Sequence, residues 1–576
     1  MAVNRENEES WSDAAEMFLA DGNFQSMRAC GREALELNNS SAEAWAIIAE
    51  ASVYMQDFSE AAEALEKLRQ LDNQKNTASA NLRGLFAVAA YYGAQFQLDK
   101  ALAAYEQLFA RFAAGERRGG WSEACHRIME RGYAFYADSC LLGGYADKAV
   151  EATFNASRVA PDITERAMYH SKALFLTNYR ESGTQRQIKQ HRQYNHLLRT
   201  EMMFPHDVEK RRKSHSLRIG YISPDFRQHA AAYFFAPLLR DANEADFAIY
   251  AYFTGQADHV TQRFKKMTRN WRDMAGKTPL EIARQIFNDR IDILVDLSGH
   301  SQNNALPVLG YRPAPVQVSG IGYINTTGLA VVDYFLTDMV CCPDRATEQK
   351  FTEKPLRLSG CHLCYCPEVL RSLKPEGHDT PAKRNGYVTY GCFNNFAKVT
   401  DDMLVVWRNI LEGGNARLIL KNKTCSIESG REIIRERFKR VGGDVDKLEL
   451  RPFSPDYLTQ YNDIDIALDT SPYNGGLTTC DALYMGVPVI TLAGWSHGSR
   501  YGETILQAAG LPELVSNGPR TYTSKAVQLG RQLDKLNELH HELPKNLKKS
   551  RLMDNKSYVM DIESKYHLIW DQYCKV

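Results

Sequence analysis

IDIALDTSPYNGGLTTCDALYMGVPVITLAG, from Ile464 to Gly494, decides the fold of the second half of the chain. The apolar run Ile466 to Leu468 reads as a strand, Asn474-Gly475-Gly476 as a tight turn and Thr478-Thr479 as the opening of a helix. Gly486-Val487-Pro488 then leads into a second strand. Strand, Gly-rich turn and helix in that order make a cradle for phosphate. Glycine lets the backbone close on an anion, and the N–H groups of the first helical turn face it with the positive end of the helix dipole. Asp481, three residues after Thr478, falls near the start of that helix, where a carboxylate can accept from ribose hydroxyls. Strand-turn-helix units that only pack use the same glycines, so the pattern alone leaves both readings open.

Outward from this stretch the pattern repeats. LRIGYIS, FAIYAYF, IDILVDL, PVQVSGI and YFLTD are short apolar runs bounded by turn residues and alternating with helical segments. YVTYGCF, ARLILK, KLELRP, IDIALDT and PVITLAG form a second such set after Gly386. Alternation of this kind predicts βαβ units and parallel sheets. Pro367 to Arg384, rich in Pro, Lys and Arg, reads as a linker between two doubly wound α/β domains, with ligands expected at the carboxyl ends of their strands.

The first 180 residues differ in kind. Helix starts recur at Asn23-Phe24, Asp57-Phe58, Gln97-Leu98 and Gly144-Tyr145, each before an alanine-rich amphipathic segment. Phe24 and Phe58 are 34 residues apart, the tetratricopeptide period, and Trp45 fits the aromatic position of a first helix. The later intervals are longer, so three or four helix pairs with insertions are expected, or a plain helical bundle. Stacked helices suit an extended peptide or another protomer. The expected organisation is helical repeats over 1–180, a basic helical linker over 181–215 and a first α/β domain over 216–365. A linker over 366–385, a second α/β domain over 386–545 and a terminal helix within 546–576 follow. The fold class is therefore α plus α/β.

Lys plus Arg and Asp plus Glu both number 70, which leaves no electrostatic footprint for a nucleic acid. The first twenty residues lack the basic and apolar regions of a secretory signal, and no apolar run approaches the roughly 20 residues of a membrane span. A cytoplasmic setting is expected. Among twelve cysteines, Cys361, Cys364 and Cys366 cluster around His362, downstream of Cys341 and Cys342. Structural zinc usually needs two separated pairs, and there is no second CxxC, so no metal is expected and the thiols read as small apolar groups.

Six blocks carry a resemblance: the Ile464 stretch with SLRIGYISPDFRQHAAAYFF (from Ser216), IDILVDLSGHSQNN (from Ile291), YRPAPVQVSGIGYINTTG (from Tyr311), RLSGCHLCYCP (from Arg357) and YGCFNNFAKVT (from Tyr390). In this order, from about Leu217 to the C-terminus, they resemble the O-GlcNAc transferase and SPINDLY family of protein glycosyltransferases. That resemblance implies a GT-B core behind tetratricopeptide helices, inverting and metal-independent. It implies a nucleotide sugar as donor and Ser or Thr of proteins as acceptor, with no cofactor beyond the donor.

It also implies roles. Lys398, after the strand YVTYGCF, takes the place of the phosphate-binding lysine, where a cation neutralises the departing diphosphate. Asn394 and Asn395 precede it as possible donors to diphosphate or sugar, and Gly475, Gly476, Thr478 and Thr479 complete the anion site. His229 occupies the position of the family's active-site histidine in its SxDFxxH block, near the acceptor as base or positioning group, and His300 is expected near the sugar. Asp225 and Asp296 read as loop-orienting groups. Gly322 and Thr326 lie in a segment similar to the family's sugar-facing loop, and Tyr457 stands where the family stacks a side chain on the nucleobase.

Two departures bear on the donor. Animal O-GlcNAc transferases have His-Thr-Thr in the phosphate turn, where this chain has Leu477-Thr478-Thr479. YNGGLTTCDALYMGVP is closer to SPINDLY, whose plant members use GDP-fucose, yet Asp481 replaces the glutamate typical there. The expectation inclines to UDP-GlcNAc, with GDP-fucose as the alternative. A GT-B enzyme with a non-protein acceptor and an inactive scaffold are the other classes, and homo-oligomerisation through the repeats is a further expectation.

Overall fold

The structure is a computed structural model that describes residues 8–71, 78–116, 120–180, 184–198, 202–207 and 216–575. The basic run 208–215 of the expected linker lies outside the described residues. Two compact units result, one of residues 1–173 with 427–433, the other of 174–426 with 434–576.

The first unit is built of helix pairs: α1 (Glu8–Ala20) with α2 (Phe24–Leu37), α3 (Ala42–Tyr54) with α4 (Phe58–Gln70), α5 (Ala78–Ala94) with α6 (Leu98–Glu116), and α7 (Glu123–Leu142) with α8 (Ala146–Val159). Each recurring start in the sequence opens the second helix of a pair. Asn23 and Asp57 cap α2 and α4 by accepting from the Ser26 and Glu60 N–H groups. The period lengthens because α5, α6 and α7 run to 17, 19 and 20 residues, against 13 in α3 and α4. Arg83, 1% exposed, is neutralised between these helices by Glu16, Glu43 and Glu50. Removing one partner of such a buried group typically costs about 3–5 kcal/mol. Helix α9 (Ile163–Leu176) follows.

The second unit carries two sheets, all of whose recorded pairings are parallel. Strands β1 (Leu217–Ser223), β2 (Phe247–Phe253), β3 (Asn270–Asp273), β4 (Ile293–Asp296), β5 (Val316–Gly320), β6 (Tyr334–Asp338) and β7 (Lys354–Leu358) lie in the order β3-β2-β1-β4-β5-β6-β7. Strands β8 (Val388–Cys392), β9 (Ala416–Asn422), β10 (Leu448–Pro452), β11 (Ile466–Leu468), β12 (Val489–Leu492) and β13 (Val515–Ser516) lie in the order β10-β9-β8-β11-β12-β13. Both sheets are doubly wound as expected, and the order reverses between β1 and β4 in one and between β8 and β11 in the other. Open α/β sheets bind ligands at such reversals.

Helix α10 (Gln185–Leu197) precedes the first sheet, and its His191 and Tyr194 are buried. At the other end, the helix Asn555–Lys575 returns to that sheet. Its Tyr566 hydroxyl meets that of Tyr221 at 3.1 Å, and its Glu563 accepts from the Asn243 N–H at 2.7 Å.

Candidate functional site

At the β8/β11 reversal the expected donor-site residues come together. The β8 loop winds into a short 3-10 turn, Phe396–Lys398, capped by the Asn395 side chain accepting from the Ala397 N–H. Lys398 Nζ then reaches the other loop, donating to the Asn474 carbonyl at 3.0 Å and lying 3.8 Å from the Tyr473 ring centroid. Burial lowers its pKa to about 8, with the Asp469 carboxylate working the other way.

Asp469, at the end of β11, shapes the turn. It accepts from the N–H groups of Thr470 and Gly475 and from the Thr491 hydroxyl, while burial raises its pKa to about 6 against those bonds. Gly475 is required here, because a Cβ would stand 2.4 Å from Thr478 Oγ1 and 2.8 Å from Thr479 Oγ1. Thr479 donates to the Gly475 carbonyl, and Thr478 donates to Asn394 Oδ1, 2.9 Å across from the β8 loop. No side chain caps the helix Leu477–Tyr484 at Gly476. An uncapped helix start beside a half-buried ammonium is a seat for an anion.

Asp481 and Tyr457 are arranged otherwise than expected. Asp481 is 0% exposed, and its carboxylate is taken up by Arg371 of the linker and by the Tyr365 and Tyr457 hydroxyls. A carboxylate so engaged is not turned toward a ribose. Arg371 also donates to the hydroxyls of Tyr233 and Tyr365, and its guanidinium stacks 4.4 Å from the Tyr233 ring centroid. The Tyr457 ring is 5.7 Å from the same guanidinium, and its hydroxyl is committed to this network. The linker, read from sequence as a connection, therefore supplies the central cation of this cluster. One arginine in a stretch rich in Pro, Lys and Arg gives no sequence signal for that role.

At the β1/β4 reversal the expected residues separate. His229, on the loop after β1, keeps 40% of its side chain exposed, with Nδ1 3.4 Å from Asp225 Oδ2. Burial lowers the pKa of the imidazole and Asp225 opposes that shift. Two groups compete for Nδ1, the Asp225 carboxylate and the Ala231 N–H at 3.3 Å. A proton on Nδ1 aimed at Asp225 leaves Nε2 as a base; the other tautomer leaves Nε2 as a donor.

His300 does not sit at an open edge. It is 1% exposed, its Nε2 is 2.9 Å from the Thr327 carbonyl oxygen, and its ring lies edge-on to Tyr194, His191 and Tyr323. Helix α10 covers it. Thr326 likewise turns inward, its hydroxyl donating to Glu353 at 2.6 Å, and Thr327 bonds the same buried carboxylate. Gly322 is half-buried, and only glycine fits there, since a Cβ would fall 1.8 Å from the Leu297 carbonyl oxygen.

Two sheets of order 3-2-1-4, joined by a linker and bridged by a returning terminal helix, with a phosphate cradle on the second, define the GT-B class of nucleotide-sugar proteins. Within it the chain belongs to glycosyl transferase family 41, which matches residues 188–362 and 381–562. It is 40% identical over 372 residues, 62% of its length, to a probable UDP-N-acetylglucosamine–peptide N-acetylglucosaminyltransferase SPINDLY of Arabidopsis thaliana. It is 38% identical over 370 residues to the protein of the same name from Oryza sativa subsp. japonica. The match takes in 40% and 39% of those two proteins, so the chain spans about two fifths of the length of the curated relatives. Among solved structures, a mutant of Thermobaculum terrenum O-GlcNAc transferase is similar over 100% of this chain and 99% of its own, with a TM-score of 0.73 at 26% identity.

Proposed function

We propose that this protein is an inverting, metal-independent glycosyltransferase that moves GlcNAc from UDP-GlcNAc to Ser or Thr hydroxyls of proteins. The observation that carries the reading is the convergence of Lys398, the Gly475 turn and Thr478 at one sheet reversal. The leaving diphosphate gains charge as the glycosidic bond breaks. The Lys398 ammonium and the N–H groups at the start of the helix Leu477–Tyr484 are placed to stabilise that charge. The acceptor hydroxyl attacks the opposite face of the anomeric carbon, with His229 taking its proton at Nε2 or orienting it. The names of the relatives favour UDP-GlcNAc over GDP-fucose and a polypeptide acceptor over a small one. No described helix is long and apolar enough to cross a membrane.

The test is incubation of the full chain with a panel of nucleotide sugars and a peptide library. Nucleotide release and the mass added to Ser or Thr are read together. UDP release with a HexNAc mass on peptide is expected. Turnover of GDP-fucose alone overturns the donor assignment, and sugar on no peptide overturns the acceptor.

A further inference from the structure

Away from the phosphate cradle, a second set of polar side chains is buried between the two α/β domains of the second unit. Asp338 ends β6, Cys341 follows it, and Cys361 and His362 follow β7, while His497 comes from the loop after β12. Cys341, His362 and His497 each offer one ligand atom, and these atoms lie within 4.8 Å of one another. His362 and His497 are 0% and 4% exposed, with ring centroids 5.2 Å apart. His362 Nε2 is buried without a hydrogen-bond partner. His497 Nδ1 also has none in hydrogen-bond geometry, although the Ile324 backbone lies near that ring. Unpartnered buried nitrogens are costly, each of the order of 1–3 kcal/mol, and need an explanation.

The opposite nitrogens are the anchored ones. His362 Nδ1 lies 2.5 Å from Asp338 Oδ2, and His497 Nε2 lies 2.9 Å from the Thr337 hydroxyl. Asp338 is itself fixed by the Thr504 hydroxyl and by the N–H groups of Cys341 and His362. An imidazole with one nitrogen held by a carboxylate and the other vacant is the arrangement that orients histidine toward a metal ion. We propose that Cys341, His362 and His497 bind a zinc ion that fastens the two α/β domains to each other.

The chemistry fits. One thiolate and two imidazoles suit zinc, which takes sulfur and nitrogen in tetrahedral geometry. Coordination releases the Cys341 proton to solvent, and the thiolate with the Asp338 carboxylate balances the double charge of the ion. The site stands behind the donor turn rather than in it. Tyr501, whose ring centroid is 5.1 Å from that of His362, would also meet a Cβ built on Gly476 at 3.9 Å. The ion therefore has a structural task and no part in stabilising the diphosphate.

Elemental analysis of the full chain, purified without chelator and then exposed to zinc and desalted, tests this. About one zinc per chain is expected. Cys341→Ser and His362→Phe should both lose it, and cobalt-loaded wild type should show a thiolate-to-cobalt charge-transfer band that Cys341→Ser lacks. A strong chelator should lower the melting temperature of the wild type and leave that of His362→Phe unmoved. A folded wild-type chain that retains no zinc overturns the proposal whatever the variants do, as does zinc retained equally in both variants.

Discussion

The two sheet reversals of the second unit share one topology and differ in what they do with it. At β8/β11, Lys398, Asn394, Gly475 and Thr478 approach one another across two loops. At β1/β4, His229 stays at the surface while His300 is sealed under helix α10. At the second reversal the two sheet-end turns themselves supply the facing groups, although Lys398 and Asn474 lie 76 residues apart in sequence. The first is finished by segments far away in sequence, and these decide which of its side chains remain available. Topology names the edge where chemistry belongs; packing decides which residues on that edge are free to perform it.

The largest effect that would break the contrast is at Lys398. Lys398→Ala should lower turnover by about 10²–10³ with the melting temperature retained, since one preorganised charge-stabilising group is lost. Wild-type turnover in the folded variant would remove the second reversal from the chemistry. At the first reversal, His229→Ala should slow transfer to peptide by about 10²-fold and leave slow hydrolysis of the donor nearly intact, which parallel assays of the two reactions would resolve. An equal fall in both reactions would place His229 on the donor rather than the acceptor.

His300→Ala sharpens the difference from the other side. It removes a buried ring, so destabilisation of the order of 2–4 kcal/mol is expected by denaturant titration. With peptide saturating and the protein folded, turnover should change little. A large drop in turnover without loss of stability would return His300 to the sugar.

A smaller effect is the pH profile. The Lys398 pKa is lowered to about 8, so its ammonium is lost as pH rises through that value. Donor capture needs the cation, and kcat/KM should therefore fall above about pH 8. Bound diphosphate favours the charged form, so the corresponding fall in kcat should lie at higher pH. A kcat/KM that stays flat well above pH 8 would contradict this. The smallest effect expected is none: added magnesium or manganese should leave turnover unchanged, because protein donors stabilise the leaving group.

Much of this was legible in the sequence. The helix starts at Asn23, Asp57 and Gln97 are local signals, a cap or turn before an amphipathic run, and each opens a helix of the first unit. Ten strands read as apolar runs. Strands β3, β7 and β13 did not, because edge strands such as Asn270–Asp273 are short and polar and are covered on one flank only. The cradle was readable for the same reason as the helices, since its parts sit close to one another in sequence. His300 was expected at the carboxyl edge of its sheet near the sugar, Thr326 in a sugar-facing loop and Asp481 within reach of a ribose. Their neighbours Tyr194, Glu353 and Arg371 lie 106, 27 and 110 residues away, beyond the reach of any pattern. Of the histidine and cysteine cluster, Cys341, Cys361 and His362 stand out together in the sequence and read as apolar packing, while His497, which comes from the other α/β domain, escapes.

The Arg371 cluster bears on how this chain can be recombined. One guanidinium meets Tyr233 and Tyr365 from the first α/β domain and Tyr457 and Asp481 from the second. Catalytic halves exchanged with a family member at the linker would bring together an arginine and a carboxylate that had never been matched. Chimeras of this chain should fold only when positions 233, 371 and 481 come from one parent, so the interchangeable cassette is the pair of domains with its linker, not either domain alone.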